Sequence, residues 1–273
     1  MMNAASEFDP GPLTWIRGEI ELSLDRAGEA LGHYEQSGDA TQLRFCRTHV
    51  HQVHGALAMV GLDGLAQLAE ALEALLGALE EGGQQILAAC SVSINQAVAA
   101  IRKYLDDLLA GEPDQPLRLF PVYAALVTAR GLPAPSPADL FFPDLSLRPP
   151  RPSVPVAPLS AEQLNTLLKA ERGRFQKGLL AWLRQAGDPH EALEHLHLAL
   201  ENIEATQAAP NARAFWWSAL AFIESLYGRH GEPDPEVRQL LARIDTQIRR
   251  LLEGTRTVAE RLLRDALYFI SQA

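Results

Sequence analysis

Apolar residues recur through most of the chain at spacings of three and four residues, the pattern of amphipathic α-helices. No sustained alternation of apolar and polar residues predicts a β-strand. The first part of the sequence contains four apolar segments of similar length, separated by short polar or glycine-containing breaks: residues 12–34, 40–60, 62–80 and 84–110. Four helices joined by short breaks predict an antiparallel four-helix bundle over residues 1–111.

Prolines crowd the next segment, residues 112–158. We expect a short helix near residues 122–129 that packs back on the bundle, followed after Leu147 by a stiff, extended, proline-rich linker. Helical periodicity returns over residues 159–273, where Asp188-Pro189-His190-Glu191 has the residue types of a helix start. Helices are predicted in this second domain at residues 160–186, 189–206, 211–228, 234–253 and 255–271.

The acidic character of the chain is confined to its first half. The formal net charge is −10, and residues 1–150 contain 9 Lys and Arg against 19 Asp and Glu, whereas residues 151–273 contain 15 of each. Nucleic-acid binding requires clustered Lys and Arg to match the phosphates, so nucleic acid is not expected as a partner. The acidity by itself indicates no more than solubility.

Neither secretion nor membrane insertion is predicted. Residues 1–10 lack the basic and apolar parts of a signal peptide, and the apolar run at residues 214–223 is too short to span a bilayer. Cys46 and Cys90 both fall within apolar helical patterns, so a framework of disulfides is not expected. We therefore expect a soluble, cytoplasmic protein with no membrane partner.

The segment at residues 40–60 carries the most informative histidine of the chain, His51. At roughly 100° per residue, the side of the helix opposite His51 is predicted to face the core; it carries Cys46, His49, Val53, Ala56 and Val60. The residues within about 40° of His51 are Arg44, Arg47, Gly55 and Ala58, with His54 at the margin. Because glycine inside a helix costs about 1 kcal/mol relative to alanine, Gly55 indicates that another protein needs access beside His51.

An exposed imidazole on such a face is a suitable phosphoryl acceptor. Its neutral ring nitrogen is nucleophilic near pH 7, and phosphoryl transfer depends on positioning and on cationic stabilisation. Arg44, Arg47 and His54 are placed to help hold the phosphoryl oxygens. The partner, a receiver domain, would supply the aspartyl phosphate and its Mg²⁺, so this chain itself is expected to hold no cofactor.

The stretch His51-Gln52-Val53-His54-Gly55-Ala56 resembles the His-x-x-Lys-Gly-Ser/Ala signature of histidine phosphotransfer (Hpt) domains. Segments such as residues 13–20, 104–107 and 139–144 resemble the N-terminal region of the chemotaxis-like hybrid histidine kinases that control twitching motility by type IV pili. The resemblance implies His51 as the phosphoacceptor, and a histidine kinase and a response-regulator receiver domain as partners. His54 departs from the family, because many Hpt domains have lysine at its position.

The second domain has the pattern of a decayed copy of the first. Residues 214–223 can be laid over residues 51–60, and Ala214 then occupies the acceptor position, where it cannot accept phosphate. Trp216 and Trp217 are then expected in the core or an interface. The predicted fold is all-α, with an Hpt-like four-helix bundle and a degenerate Hpt-like helical domain joined by a proline-rich linker.

Metal and nucleotide sites are not predicted. His51 and His54 share a face, but no carboxylate or cysteine follows them at i+4 or i+7, and the His-Glu-x-x-His arrangement is absent. His190, Glu194 and His197 share another face but lack the further carboxylates of a di-iron bundle. The sequence contains no glycine-rich phosphate loop and no ATP-binding box of a histidine kinase, so we expect no autophosphorylation from ATP.

Two hypotheses for function follow. In the first, the chain is a phosphorelay module in which His51 exchanges a phosphoryl group with receiver domains, in signalling that governs type IV pili. In the second, it is an Hpt-shaped scaffold that binds signalling or pilus-regulatory proteins and carries no phosphate, like an accessory member of the family that lacks usable phosphohistidines. A His51 ring buried in the hydrophobic interior would exclude the first.

Overall fold

Helices make up nearly all the regular structure of the computed structural model, which describes residues 10–82, 84–146, 148–149, 159–185, 187–228 and 234–273. No β-strand occurs within these ranges, and the prediction of an all-α protein is confirmed. The chain forms two compact units, Met1–Phe142 and Pro143–Ala273. The expected linker after Leu147 and the start of the chain at residues 1–9 lie largely or wholly outside the described residues.

The first unit is built on a four-helix bundle, here called the first bundle. Its helices are α1 (Pro10–Ser37), α2 (Ala40–Met59), α3 (Asp63–Gly82) and α4 (Gln84–Leu109). Each helix packs against the next one in the sequence, and α1 also contacts α4, which closes the bundle. The leucines of α3 form one buried stripe in its core: Leu65, Leu68, Leu72, Leu75, Leu76 and Leu79. These four helices follow the predicted order and lengths.

The turn between α2 and α3 sets how these two helices face each other. Gly61 adopts a φ of +74°, a left-handed conformation that glycine accepts without a steric penalty. The N–H of Leu62 donates to the carbonyl of Leu57 at 3.1 Å, which closes the end of α2. Because only residues 60–62 separate the two helices, α3 runs back antiparallel along α2.

The segment after α4 packs on the first bundle. It contains a 3₁₀ turn at Pro116–Leu119, helix α5 (Phe120–Ala129) and a second 3₁₀ turn at Pro137–Leu140, and α5 contacts α3 and α4. The hydroxyl of Tyr104 on α4 donates to the carboxylate of Asp114 at 2.5 Å. Burial and this hydrogen bond raise the pKa of Tyr104 far above its usual range. The segment therefore belongs to the first unit over most of its length.

The second unit contains five helices: α6 (Ala161–Leu183), α7 (Pro189–Glu204), α8 (Pro210–Leu226), α9 (Pro235–Leu252) and α10 (Glu260–Ser271). They contact one another in the order α6, α7, α8, α10, α9 and back to α6. Asp188 caps α7 as predicted, since its carboxylate accepts from the N–H of His190 at 2.9 Å. Helix α10 begins five residues later than predicted, because the carbonyl of Thr257 in the preceding loop accepts from the buried Gln247 side chain at 3.0 Å.

Aromatic side chains fill the core of the second unit, where Phe175, Phe215, Trp216 and Phe222 are fully buried. Trp217, the neighbour of Trp216, is half exposed. Ala214 is buried. Residue 214 is the one that aligns with His51 when residues 214–223 are laid over residues 51–60. Because Ala214 is buried, the second unit has no accessible counterpart of His51 at this position.

Helices α6 and α7 approach each other closely at Gly178. A Cβ added there would lie 2.8 Å from the carbonyl oxygen of Ala192 and 2.8 Å from the Cβ of His195, which is closer than van der Waals contact allows. Gly173, five residues earlier on the same helix, has open space around it. A side chain is therefore excluded at residue 178 and has room at residue 173 of the same helix.

We expect Gly178→Ala to lower the free energy of unfolding of the second unit by about 1–3 kcal/mol, because overpacking forces α6 and α7 apart. The matched control, Gly173→Ala, is expected to raise the free energy of unfolding by up to about 1 kcal/mol through helix propensity. Urea denaturation followed by tryptophan fluorescence measures both. Equal effects of the two substitutions would contradict the close approach.

Candidate functional site

The His51 side chain is 68% exposed on the outer face of α2. Arg44, Arg47, Gly55 and Ala58 are exposed as well, whereas His54 is half-buried. The residues of α2 that are buried in the core are Leu43, Cys46, Val50, Val53 and Leu57. Three residues that were expected to face the core, His49, Ala56 and Val60, are only half-buried at its edge. The reason is that α2 is flanked by α1 on one side and α3 on the other.

A carboxylate on the neighbouring helix holds the His51 ring. Nδ1 of His51 lies 3.1 Å from Oε2 of Glu73 on α3, and because an ionised carboxylate only accepts hydrogen bonds, Nδ1 is the protonated donor. A neutral imidazole has one protonated nitrogen, and the hydrogen bond that this nitrogen makes selects the tautomer. With the proton on Nδ1, Nε2 of His51 keeps its lone pair and is the nucleophilic atom of the ring.

Sequence reasoning missed Glu73 as a site residue, although the hairpin register contains the signal for it. His51 lies eleven residues before Leu62 and Glu73 lies eleven residues after it. Residues equally distant from a tight turn face each other in an antiparallel helix pair. The same register brings Arg47 over Gly77, where an added Cβ would lie 3.6 Å from the Arg47 guanidinium.

His54 joins His51 at the same carboxylate. The two imidazole rings lie edge to face with centroids 6.1 Å apart. Nδ1 of His54 lies 3.6 Å from Oε2 of Glu73, beyond hydrogen-bond length, and has no hydrogen-bond partner among the described residues although the atom is buried. The carboxylate that the sequence of α2 lacks at i+4 and i+7 is thus supplied by Glu73 on α3.

The two arginines predicted to assist His51 have different environments. The Arg47 guanidinium forms an ion pair with Glu80 at 3.0 Å and is held against α3. Arg44 is exposed on the same face as His51, two helical turns earlier, or about 10 Å along the axis. Arg44 is therefore the better placed of the two to meet an approaching anion.

Gly55 lies exposed in the middle of α2, one turn after His51. A Cβ added there would meet nothing within 4 Å among the described residues. Neither a close contact nor a positive φ explains this glycine, in contrast to Gly178 and Gly61. Packing and backbone conformation therefore do not require a glycine at residue 55. The result of having one is a surface next to His51 that carries no side chain.

The other histidine group noted in the sequence does not come together as a ligand set. Nε2 of His197 lies 3.1 Å from the carboxylate of Glu224, and the ring of His190 packs against Tyr227 at a centroid distance of 4.8 Å. Each histidine thus has its own partner on or near α8. Within the described ranges, the three-residue group with the spacing of metal ligands is His51, His54 and Glu73.

Both cysteines are buried and carry free thiols. Burial raises the pKa of the Cys46 thiol to about 12 and also raises that of Cys90. Neither thiol is therefore an activated nucleophile. Among the described residues, no helix is both long and apolar enough to cross a membrane.

The sequence of the first bundle is similar to that of a known family of domains. Residues 13–111 match the family model described as the Hpt domain. The first bundle is an Hpt-like domain. Its resemblance to Hpt proteins, inferred above from residues 51–56, is thereby confirmed, and His51 lies on an exposed face of this Hpt-like domain.

The second unit matches a different family model. Residues 160–273 match the model described as the second domain of the FimL scaffold protein. The chain is also 26% identical over 267 residues to the scaffold protein FimL of Pseudomonas aeruginosa, an alignment that covers 95% of this chain and 46% of that protein. The chain thus spans just under half the length of this relative. No solved structure matches the chain.

We expect Gly55→Ala to raise the free energy of unfolding of the Hpt-like domain by about 1 kcal/mol, because alanine favours the helix and the added methyl group meets no neighbour. Chemical denaturation of the wild type and the variant, followed by far-ultraviolet circular dichroism, measures the change. A loss of stability would indicate a packing requirement at Gly55 and remove the case for an access role.

Proposed function

We propose that this chain is a phosphorelay module in which His51 accepts a phosphoryl group from an aspartyl phosphate of a response-regulator receiver domain and can return it. The observation that carries the proposal is the exposed His51 ring, held through Nδ1 by Glu73 with Nε2 left as the nucleophile. The match of residues 13–111 to the Hpt domain supports it, since that domain is a phosphotransfer module.

In the transfer step, the lone pair of His51 Nε2 attacks the phosphorus of the aspartyl phosphate. The new P–N bond forms as the P–O bond to the aspartate breaks, and the carboxylate leaves with the electron pair. The receiver provides the aspartate and its Mg²⁺, which neutralises charge on the transferring group. This chain supplies a positioned nucleophile, so the reaction needs little further catalytic machinery from it.

Glu73 contributes to the same step as a positioning residue. Attack through Nε2 leaves the imidazole ring with a positive charge while the proton remains on Nδ1. The carboxylate of Glu73, 3.1 Å from Nδ1, stabilises this cationic ring by accepting the hydrogen bond from its Nδ1–H. Its role resembles that of the aspartate that orients the histidine in hydrolytic triads.

The surface around His51 fits the approach of a folded partner. Gly55 and Ala58 present almost no side chain one and two turns beyond His51, and Arg44 provides positive charge on the other side. A receiver domain can therefore bring its phosphorylated aspartate close to the ring without displacing a large side chain. We infer a cytoplasmic pathway that governs type IV pili, in which a histidine kinase supplies the phosphoryl groups.

A second candidate function is that of a scaffold that carries no phosphate. The observation that favours it is the similarity to FimL, a scaffold protein that aligns with nearly the whole chain. Its second-domain family covers residues 160–273, where Trp217 offers an exposed aromatic surface. Under this alternative the Hpt-like domain binds signalling or pilus-regulatory proteins through its helical faces, and His51 has no chemical role.

Incubation of the full chain with a ³²P-labelled receiver domain tests the proposal. We expect acid-labile, base-stable label on the wild type, as for a phosphohistidine, and none on His51→Gln. The matched control is His49→Gln, which removes another histidine of α2, one whose Nδ1 lies 3.2 Å from the side chain of Gln52 rather than at Glu73. This variant is expected to retain the label.

Label that persists in His51→Gln would place the chemistry at another residue. Absence of label on the wild type, with a receiver that binds the chain, would favour the scaffold instead. Incubation with ATP alone serves as a negative control, since the sequence carries no nucleotide-binding motif.

A further inference from the structure

Three potential metal ligands converge on the outer surface between α2 and α3. His51, His54 and Glu73 each offer a ligand atom, and these atoms all lie within 4.8 Å of one another. Oε2 of Glu73 is 3.1 Å from Nδ1 of His51 and 3.6 Å from Nδ1 of His54. The Nδ1 atom of His54 is buried, and no hydrogen bond to any described residue explains its position.

The two separations from Oε2 of Glu73 are those of ligands that share one ion. Zinc binds nitrogen and carboxylate oxygen at about 2.0–2.2 Å, so two ligands at adjacent corners of a tetrahedron are roughly 3.3 Å apart. The distances of 3.1 and 3.6 Å from the carboxylate oxygen bracket this value. Because the His51 ring is 68% exposed, it is free to rotate slightly towards His54 and complete the set.

The ligand types and the surrounding charge select a divalent ion of the zinc class. Two imidazoles and one carboxylate suit zinc, with the fourth position left to water. Helix α3 contains no lysine or arginine and five acidic residues, so its field attracts a cation. Arg47, a basic side chain that reaches this helix from the turn of α2 before His51, is paired with Glu80.

His54 is the residue that distinguishes this chain from a plain phosphoryl acceptor. A lysine at residue 54, as in the signature that residues 51–56 resemble, would place a permanent positive charge beside Glu73 and oppose a metal ion. Histidine supplies a neutral nitrogen ligand instead. The substitution thus converts a His–carboxylate pair into a three-ligand group.

We propose that His51, His54 and Glu73 bind a divalent zinc-type ion, and that bound metal and phosphoryl transfer at His51 exclude each other. The second part rests on the proposed function. The exclusion follows from the tautomer of one ring. When Nδ1 of His51 binds the ion, the Nδ1 proton passes to solvent and Nε2 takes one up from solvent, so the ring stays neutral with its proton on Nε2. Nε2 then has no free lone pair with which to attack phosphorus.

Zinc binding is tested on the full chain without any phosphodonor, by isothermal titration calorimetry with zinc ion alone. We expect one site per chain. His54→Gln and Glu73→Gln are each expected to raise the Kd at least ~10-fold, because even the loss of a group that only supports a metal ligand costs 10- to 100-fold. His49→Gln, on the edge of the core and outside the group, is expected to bind as the wild type does.

The regulatory part is tested by the rate of phosphoryl acceptance from a labelled receiver, with and without zinc, in the presence of Mg²⁺. Zinc at ten times the Kd leaves about one tenth of the chain free of metal, so the wild-type rate is expected to fall about tenfold. The ratio of the two rates is expected to approach one in His54→Gln. Because the receiver is the same in both assays, any direct effect of zinc on it lowers the rate of His54→Gln to the same extent and is thereby identified.

The outcomes separate the two proposals. Zinc binding that is absent, or unchanged in both His54→Gln and Glu73→Gln, overturns the metal site whatever the phosphotransfer assay gives. Zinc binding at the site with an unaltered rate of acceptance overturns the exclusion. Failure of acceptance in zinc-free buffer overturns the proposed function but leaves the calorimetric test of the metal site intact.

Discussion

Both proposals for this protein, the phosphoacceptor role of His51 and the metal site, depend on the carboxylate of Glu73. It reaches across from α3 to α2, accepts a hydrogen bond from Nδ1 of His51 at 3.1 Å and lies 3.6 Å from Nδ1 of His54. Its position follows from the short turn at residues 60–62, because that turn fixes which residues of the two helices are opposite each other. Without this carboxylate, His51 would be an exposed histidine with no defined tautomer.

In the two proposals made above, the same hydrogen bond gives the His51 ring two mutually exclusive uses. With the proton on Nδ1, Nε2 is a nucleophile and the ring is suited to phosphoryl transfer. With a metal ion on Nδ1, the ring carries its proton on Nε2 and has no free lone pair with which to attack the phosphorus of an aspartyl phosphate.

Helical periodicity predicted the all-α fold and the exposed face of α2, since one face of an amphipathic helix must be buried. It did not predict Glu73, because contacts between helices depend on register and not on the pattern within either helix. The start of α10 was predicted too early for a similar reason: the buried side chain of Gln247 binds the loop that precedes it. The burial of Ala214 likewise depends on the packing of the second unit.

The central claim, that Glu73 holds the His51 proton on Nδ1 and leaves Nε2 to accept phosphate, is tested most directly by long-range ¹H–¹⁵N NMR of the His51 ring. In the metal-free chain the account predicts a protonated Nδ1, and after exposure to a phosphorylated receiver it predicts phosphorus bonded to Nε2. A ring protonated on Nε2 at rest, or His51 resonances unchanged by the phosphorylated receiver, would contradict it.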